Sequence, residues 1–155
     1  MTWSAHVVVA CVVERDGKFL LVEEDVAGAR VINQPAGHWE EGETLIEAAR
    51  REALEETRWE VEPTDVLGIY EFKPEELDYT FLRIAFVAKP IKHHPERSLD
   101  VGIADAIWLT REELLARSHQ HRGPAVLRGV DDYLSGQRYP LSLIQHLNAY
   151  HLAKR

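Results

Sequence analysis

From His6 to Glu14 the chain reads HVVVACVVE, β-branched and apolar with almost no polar break. Such a run predicts a strand buried on both faces rather than one half in water. The polar tetrapeptide Arg15–Lys18 then makes a turn, and Phe19–Glu24 returns as a second strand, which predicts a hairpin. Asp25–Arg30 is expected to be a small-residue loop. Val31 and Ile32 lead into Asn33–Gly37, where Pro35 and Gly37 set a bend. From Thr44 to about Thr57 the period changes. Leu45, Ala48, Ala49 and Ala53 recur at helical spacing with charged residues between them. Thr44 fits an N-cap, and Glu47, three residues on, completes a capping box. An apolar stripe this rich in alanine predicts that the helix approaches a sheet closely.

Beyond the helix, Val61–Phe72, interrupted by Pro63, and Tyr79–Lys89 predict two more strands around a polar loop, Lys73–Asp78. Ile91–Gly102 is expected as a loop and Ile103–Leu109 as the last strand. Thr110 to Glu113 opens a short helix, and Pro124–Leu134, entered through Gly123, is another. Ser135–Leu141 stops it, and the tail from Ser142 again has amphipathic spacing. Strands interleaved with helices, joined by hairpins as well as crossovers, predict an α/β fold: a mixed β-sheet between helical layers. No repeat or linker interrupts the pattern, so one domain over residues 1–155 is expected.

The chemistry sits on the first helix. Glu52, Glu55 and Glu56 stand at i, i+3 and i+4, so three carboxylates project from nearly one face. Like charges at that spacing repel, and a solvated helix gains nothing from the cluster. A hard divalent cation would turn the repulsion into coordination by oxygen. The other reading is a charged surface face with Arg50 and Arg51 as counterions. Arg51 lies four residues from both Glu47 and Glu55, either orienting a carboxylate or forming an exposed salt bridge.

Set out in full, the stretch is Gly37, five residues, Glu43, seven residues, then REALEETRW from Arg51 to Trp59. This resembles the Nudix box, G-x5-E-x7-R-E-U-x-E-E-x-G-U, where U is a bulky aliphatic residue. Two positions depart from it: Ala53 is small at the first U, and Arg58 replaces the closing glycine. A non-glycine residue in a left-handed C-cap costs on the order of 1 kcal/mol, so the helix exit is where the pattern is strained. Further segments, among them NQPAGHWE, FLRIAF and SGQRYPL, are similar to one phosphatase subfamily of the same family, from His6 to about Leu141.

The resemblance implies an α/β/α sandwich of Nudix type and a hydrolase acting on phosphorus-containing acid anhydrides. It implies Mg²⁺, with Mn²⁺ as the other candidate, held by Glu52, Glu55, Glu56 and the carbonyl of Gly37, with Glu43 and Arg51 as the orienting pair. The subfamily implies loss of a terminal phosphate from hydroxymethylpyrimidine diphosphate, thiamine diphosphate and nucleoside di- and triphosphates. The alternatives are a MutT-like nucleoside triphosphate pyrophosphohydrolase, which releases pyrophosphate, and a ligand-binding Nudix module without activity. Such modules typically lose box glutamates, and Glu43, Glu52, Glu55 and Glu56 are all in place here.

Charge and composition narrow the partners. A formal charge of -8 argues against broad nucleic-acid or anionic-membrane binding, while a bound cation would still admit small phosphates. A phosphorylated small molecule is thus the expected partner, and a monomer the expected state. Cys11, the only cysteine, lies in an apolar run and reads as a buried structural thiol. Val7–Val13 is too short to span a bilayer and MTWSAH lacks a basic start, so a reducing cytoplasm is the expected compartment. Four positions stay open. Arg83, one charge in the apolar run Tyr79–Phe86, is a snorkelling edge residue or a phosphate clamp. Trp39, just past Gly37, stacks on a substrate ring or packs. Asp100 is a further site carboxylate or an ordinary loop aspartate. His93 and His94 lack helical i, i+4 spacing and read as surface histidines.

Overall fold

The computed structural model describes residues 3–147. Its sheet contains β1 (Ser4–Arg15), β2 (Lys18–Val26), β3 (Ala29–Asn33), β4 (Ala36–His38), β5 (Trp59–Phe72), β6 (Tyr79–His93) and β7 (Ile103–Leu109). The helices are α1 (Leu45–Thr57), α2 (Arg111–Ala116) and α3 (Ala125–Leu134). The main strand order is β3-β2-β1-β6-β5, with β4 paired to β1 and β7 to β2. Among the strand pairs of the described residues only β1 and β6 run parallel, and the others are antiparallel, so the sheet is mixed as expected.

β1 organises the rest because both of its faces are covered. Val9, Cys11 and Val13 pack with Ala48, Ala49 and Ala53 of α1 on one side. Ala10 and Val12 pack with Leu114, Val126 and Val130 on the other. That alternation follows from the two-residue period of a strand, and a run without polar breaks is what two covered faces require. The three alanines of α1 are at most 1% exposed, so the helix lies directly on the strands. β1 also forks: Val8–Ala10 pair with β4, whereas Glu14 and Arg15 pair with β2. The carboxylate helix lies against the β4 branch.

Several boundaries differ from the sequence reading. The loop expected at Asp25–Arg30 is a two-residue turn, Ala27-Gly28, with positive φ at both residues (50° and 82°), and β3 starts at Ala29. Paired strands on either side leave no length for a loop, and the doubly left-handed turn matches their twist. β6 runs on to His93 because β5 begins at Trp59 and pairs with it there. Pro63 sits at a register shift of β5, an outer strand in the main order, where a missing N–H is tolerated. The short β4 was read only as part of a bend. The tail opens as a 3-10 turn, Leu141–Leu143, and the rest of its expected amphipathic stretch, 148–155, lies outside the described residues.

α1 begins as its sequence dictates. Thr44 accepts from the Glu47 amide at 3.1 Å, and the Glu47 carboxylate accepts from the Thr44 amide at 2.8 Å. At its other end Arg58 adopts φ 64°, ψ 13°, the left-handed cap that a glycine fills without strain.

Candidate active site

Three neighbouring elements bring the box residues together: β4, the loop after it, and α1. Glu52 is buried and its carboxyl group lies directly on Gly37; a Cβ added there would stand 2.3 Å from it. Only glycine permits that approach. One turn on, Glu56 is also buried, and its Oε1 accepts from the backbone N–H of Ala36 at 2.9 Å. Glu55 projects from the same helix but is more exposed.

Arg51 ties the group together. Its Nε and Nη2 donate to the two oxygens of Glu43 at 2.9 and 2.8 Å, a bidentate pair. Nη1 reaches Glu52 at 2.8 Å and Glu55 at 3.3 Å, and Nη2 also donates to the carbonyl of His38 at 3.1 Å. Glu47, the other partner the spacing allowed, is held in the capping box instead. Glu43 is fixed further by the Glu40 amide at 2.9 Å.

Electrostatics separates these carboxylates. The hydrogen bond from Arg51 holds Glu43 below the usual carboxylate range, so Glu43 stays ionised. Glu52 is raised by burial, against the pull of Arg51, with Glu55 and Asp100 adding like charge. Burial pushes Glu56 up to about 9, helped by the negative charge of Glu52, Glu24 and Asp100 and opposed by the Ala36 N–H. No cationic side chain lies within ion-pair distance of Glu56 among the described residues. A buried carboxylate in that position lacks positive charge, and a hard divalent cation would supply it. The oxygens available are those of Glu52, Glu55 and Glu56 and the carbonyl of Gly37, a hard donor set that fits such an ion. Among the described residues, no three acidic, histidine or cysteine side chains form a ready-made metal cage. The carboxylates instead hold to Arg51 and Ala36.

The remaining positions fall as follows. Asp100 is exposed, and its amide donates to the carbonyl of Glu55 at 3.0 Å, which sets its charge in the field of Glu52 and Glu56. Arg83 is not an edge residue: β6 lies between β1 and β5, and Arg83 is 6% exposed. Its Nη2 donates to Gln34 Oε1 at 2.7 Å, and both Nη atoms reach Asn33 Oδ1 at 3.4 Å. Among the described residues no carboxylate lies within ion-pair distance of it, and burial lowers it to about 10. Trp39 is 47% exposed and its indole N–H donates to the carbonyl of Glu43 at 2.7 Å, so one edge of the ring is fixed to the box loop. His94 bonds to Glu60 and Glu96 while His93 stacks on Trp59, which separates the two rings. Cys11 is buried, with its thiol pushed up to about 12, and is inert.

Three contributors escaped the sequence reading. The Ala36 amide is a backbone group with no signature of its own. Gln34 belongs to a segment read only as a bend, yet it carries Arg83 and donates to the Val126 carbonyl at 2.7 Å. Glu24, at the end of the second predicted strand, is buried and paired with Arg122. Its pairing across 98 residues is a tertiary fact that no local pattern carries.

Comparison with known proteins shows the family and the fold. The family model described as NUDIX domain matches residues 4–129. Phosphatase NudJ of Escherichia coli (strain K12) is 42% identical over 147 residues, covering 94% of each chain. A solved NUDIX hydrolase from Nitrosomonas europaea superposes with a TM-score of 0.91 at 42% identity, over 93% of this chain and 98% of that one. A MutT NUDIX hydrolase from Burkholderia pseudomallei, at 19% identity and a TM-score of 0.65 over 83% of this chain and 98% of that one, shares the fold.

Proposed function

The chain belongs to the NUDIX family of hydrolases, and from that premise we propose that it is a NudJ-like, Mg²⁺-dependent phosphohydrolase that removes the terminal phosphate from diphosphates and triphosphates. Hydrolysis of phosphorus-containing anhydrides comes with the family. The finer reading concerns substrate, metal and residue roles. Hydroxymethylpyrimidine diphosphate, thiamine diphosphate and nucleoside di- and triphosphates are the substrates we assign, with Mn²⁺ as a second usable ion. One observation carries the reading: the buried carboxyl groups of Glu52 and Glu56 meet the backbone of Gly37 and Ala36, with one guanidinium, Arg51, shared by Glu43, Glu52 and Glu55 and no cationic side chain within ion-pair distance of Glu56 among the described residues.

In this reading Glu52, Glu55, Glu56 and the Gly37 carbonyl hold the cation. When bound, it would neutralise phosphate oxygens and acidify a water. Glu43 is kept ionised by Arg51 and fixes that guanidinium, which in turn orients Glu52 and Glu55. Burial and neighbouring charge hold the carboxyl group of Glu56 up, to about 9, and a bound cation would draw it into the ionised form that a ligand needs. Asp100 adds negative charge at the rim. Arg83, a buried cation lacking a carboxylate partner, is assigned to the phosphate nearest the organic group, and the exposed face of Trp39 to packing against the substrate.

We further assign one domain, a monomeric state and a cytoplasmic location. No helix among the described residues is long and apolar enough to cross a membrane. A product-resolved screen of phosphorylated metabolites, run with Mg²⁺ and with a chelator, tests the assignment. Orthophosphate release that depends on added divalent ion is the expected result, and turnover unaffected by the chelator would overturn it.

A further inference from the structure

Near the end of β2, two adjacent glutamates are each held by an arginine from the chain between α2 and α3. Glu23 takes Arg117 at 2.6 Å, and Glu24 takes Arg122. Successive strand residues face opposite ways, so the two pairs stand on opposite faces of the sheet. Leu20 packs in the cluster under α1 and Leu21 in the cluster under α3, which puts Glu24 on the α1 face and Glu23 on the other. The chain between α2 and α3 is fixed against β3, the outer strand on that side of the main order. The Arg122 amide donates to the Ile32 carbonyl at 2.8 Å, and the His121 ring donates to the Leu114 carbonyl at 2.8 Å. Arg122 therefore reaches past the edge of β3 onto the face where α1 lies.

The two arginines are used differently. Arg117 commits Nε to Gln120 at 2.7 Å and Nη2 to Glu23. Arg122 meets Glu24 through Nη1 alone, and its Nε and Nη2 have no partner among the described residues. Those two N–H groups form the edge of the guanidinium by which Arg51 grips Glu43 in a bidentate pair. The Arg122 side chain is 49% exposed, whereas that of Glu24 is 9% exposed. A buried carboxylate thus holds one corner of the guanidinium and leaves its bidentate edge free.

This edge stands beside the carboxylate site. The loop between β6 and β7 joins the two places: the Asp100 amide donates to the Glu55 carbonyl, and the Asp25 amide, next to Glu24, donates to the Gly102 carbonyl, each at 3.0 Å. Glu24 is near enough for its charge to be felt at both Glu56 and Arg83. Arg51 cannot serve a phosphate there, because its donors are taken by Glu43, Glu52, Glu55 and the His38 carbonyl. Arg122 is a cation with a fork to spare at the rim of an acidic site.

We propose that Arg122, oriented by the buried carboxylate of Glu24, binds a phosphate of the substrate through its Nε–Nη2 edge. The inference rests on the phosphohydrolase reading for the identity of the anion. Arg122 is then a phosphate-binding residue, Glu24 a positioning residue, and Arg117–Glu23 a clamp that fixes the chain carrying Arg122.

The test sets Arg122 against Arg117. KM and kcat for a nucleoside diphosphate with Mg²⁺ are measured in wild type, Arg122→Ala, Arg122→Lys, Glu24→Gln and Arg117→Ala, with a melting temperature for each. Loss of a charge-assisted fork raises KM about tenfold in Arg122→Ala while kcat stays within about threefold. Lysine, a point charge without the fork, recovers only part of that loss. Glu24→Gln keeps the arginine but loosens its hold, and raises KM about threefold. Arg117→Ala lowers the melting temperature and leaves KM as in wild type. An unchanged KM in Arg122→Ala, or an equal rise in Arg117→Ala, overturns the proposal and makes both arginines clamps. Calorimetry with methylenediphosphonate and Mg²⁺, a probe that cannot be hydrolysed, separates the two claims. Affinity about tenfold weaker in Arg122→Ala supports the contact even if no nucleotide is turned over, and that outcome would sink the hydrolytic reading alone. Equal affinity of wild type and Arg122→Ala for the probe overturns the contact whatever turnover shows.

Discussion

Glu56→Gln in the metal-free protein should flatten the fall of stability with rising pH. In the folded chain Glu56 keeps its proton up to about 9, whereas the ordinary value is 4.5. Folding therefore takes up a proton between those limits. Stability is full below the unfolded value and is lost as pH rises toward the folded one. One proton of difference gives a slope of at most about 1.4 kcal/mol per pH unit, so roughly 3 kcal/mol goes between about pH 5.5 and about pH 7.5. For a chain of this length that corresponds to a drop of about 5–10 °C in melting temperature. Glutamine removes the charge yet still accepts from the Ala36 N–H, so the fold loses no hydrogen bond there. Burial and like charge also raise Glu52, but Glu52 is present in both proteins and largely cancels in the difference. Thermal melts in a chelating buffer across that range should show the wild type falling about 5–10 °C further than the variant. Saturating Mg²⁺ should flatten the wild-type curve, because the cation holds Glu56 ionised, and its binding should release protons. Parallel wild-type and variant curves in the chelator would refute the reasoning and leave Glu56 an ordinary carboxylate.

Three further outcomes follow from the same geometry. Glu55→Gln at saturating Mg²⁺ should lower kcat by at least about a hundredfold with the fold intact, since a lost ligand removes stabilisation of transition-state charge; near-wild-type turnover would exclude Glu55 from the site. Arg83→Ala should raise KM for diphosphates about tenfold with a smaller effect on kcat, and an unchanged KM with a large loss of melting temperature would make Arg83 structural. Arg58→Gly should raise the melting temperature by about 2–4 °C, because the left-handed cap at φ 64° costs arginine roughly 1 kcal/mol more than glycine, and differential scanning calorimetry reads it directly.

The parts of this protein legible in its sequence are those whose causes are local. The capping box at Thr44 and Glu47, the alanine stripe of α1 and the two-sided burial of β1 each follow from spacing over a few residues, and the structure forms all three. The box motif likewise put Glu43, Arg51, Glu52, Glu55 and Glu56 in one place, and they lie together. What spacing did not reveal is the partner each side chain chooses. Arg51 stood four residues from Glu47 and from Glu55, but its strongest contact is Glu43, outside the helix, because Glu47 is already held by Thr44. Arg83 was open between an edge charge and a phosphate clamp, because a single cation in an apolar strand usually reaches water or a ligand. β5 precedes it across a short loop, but β1 on its other side is about 75 residues away in the chain, pairing Val8 with Arg83, and that pairing places the strand inside the sheet. β4 was invisible for the opposite reason: three residues carry no period, and the strand exists because β1 offers it a free edge.

The proposed activity turns on which phosphorus bond breaks, given the proposal that a cation on Glu52, Glu55 and Glu56 holds the terminal phosphates. Ion chromatography of the products from GTP and from hydroxymethylpyrimidine diphosphate, with Mg²⁺ present, measures this most directly. Orthophosphate is expected from both, with hydroxymethylpyrimidine monophosphate as the second product of the latter. Pyrophosphate as the main product from GTP, with the pyrimidine diphosphate left intact, would contradict it.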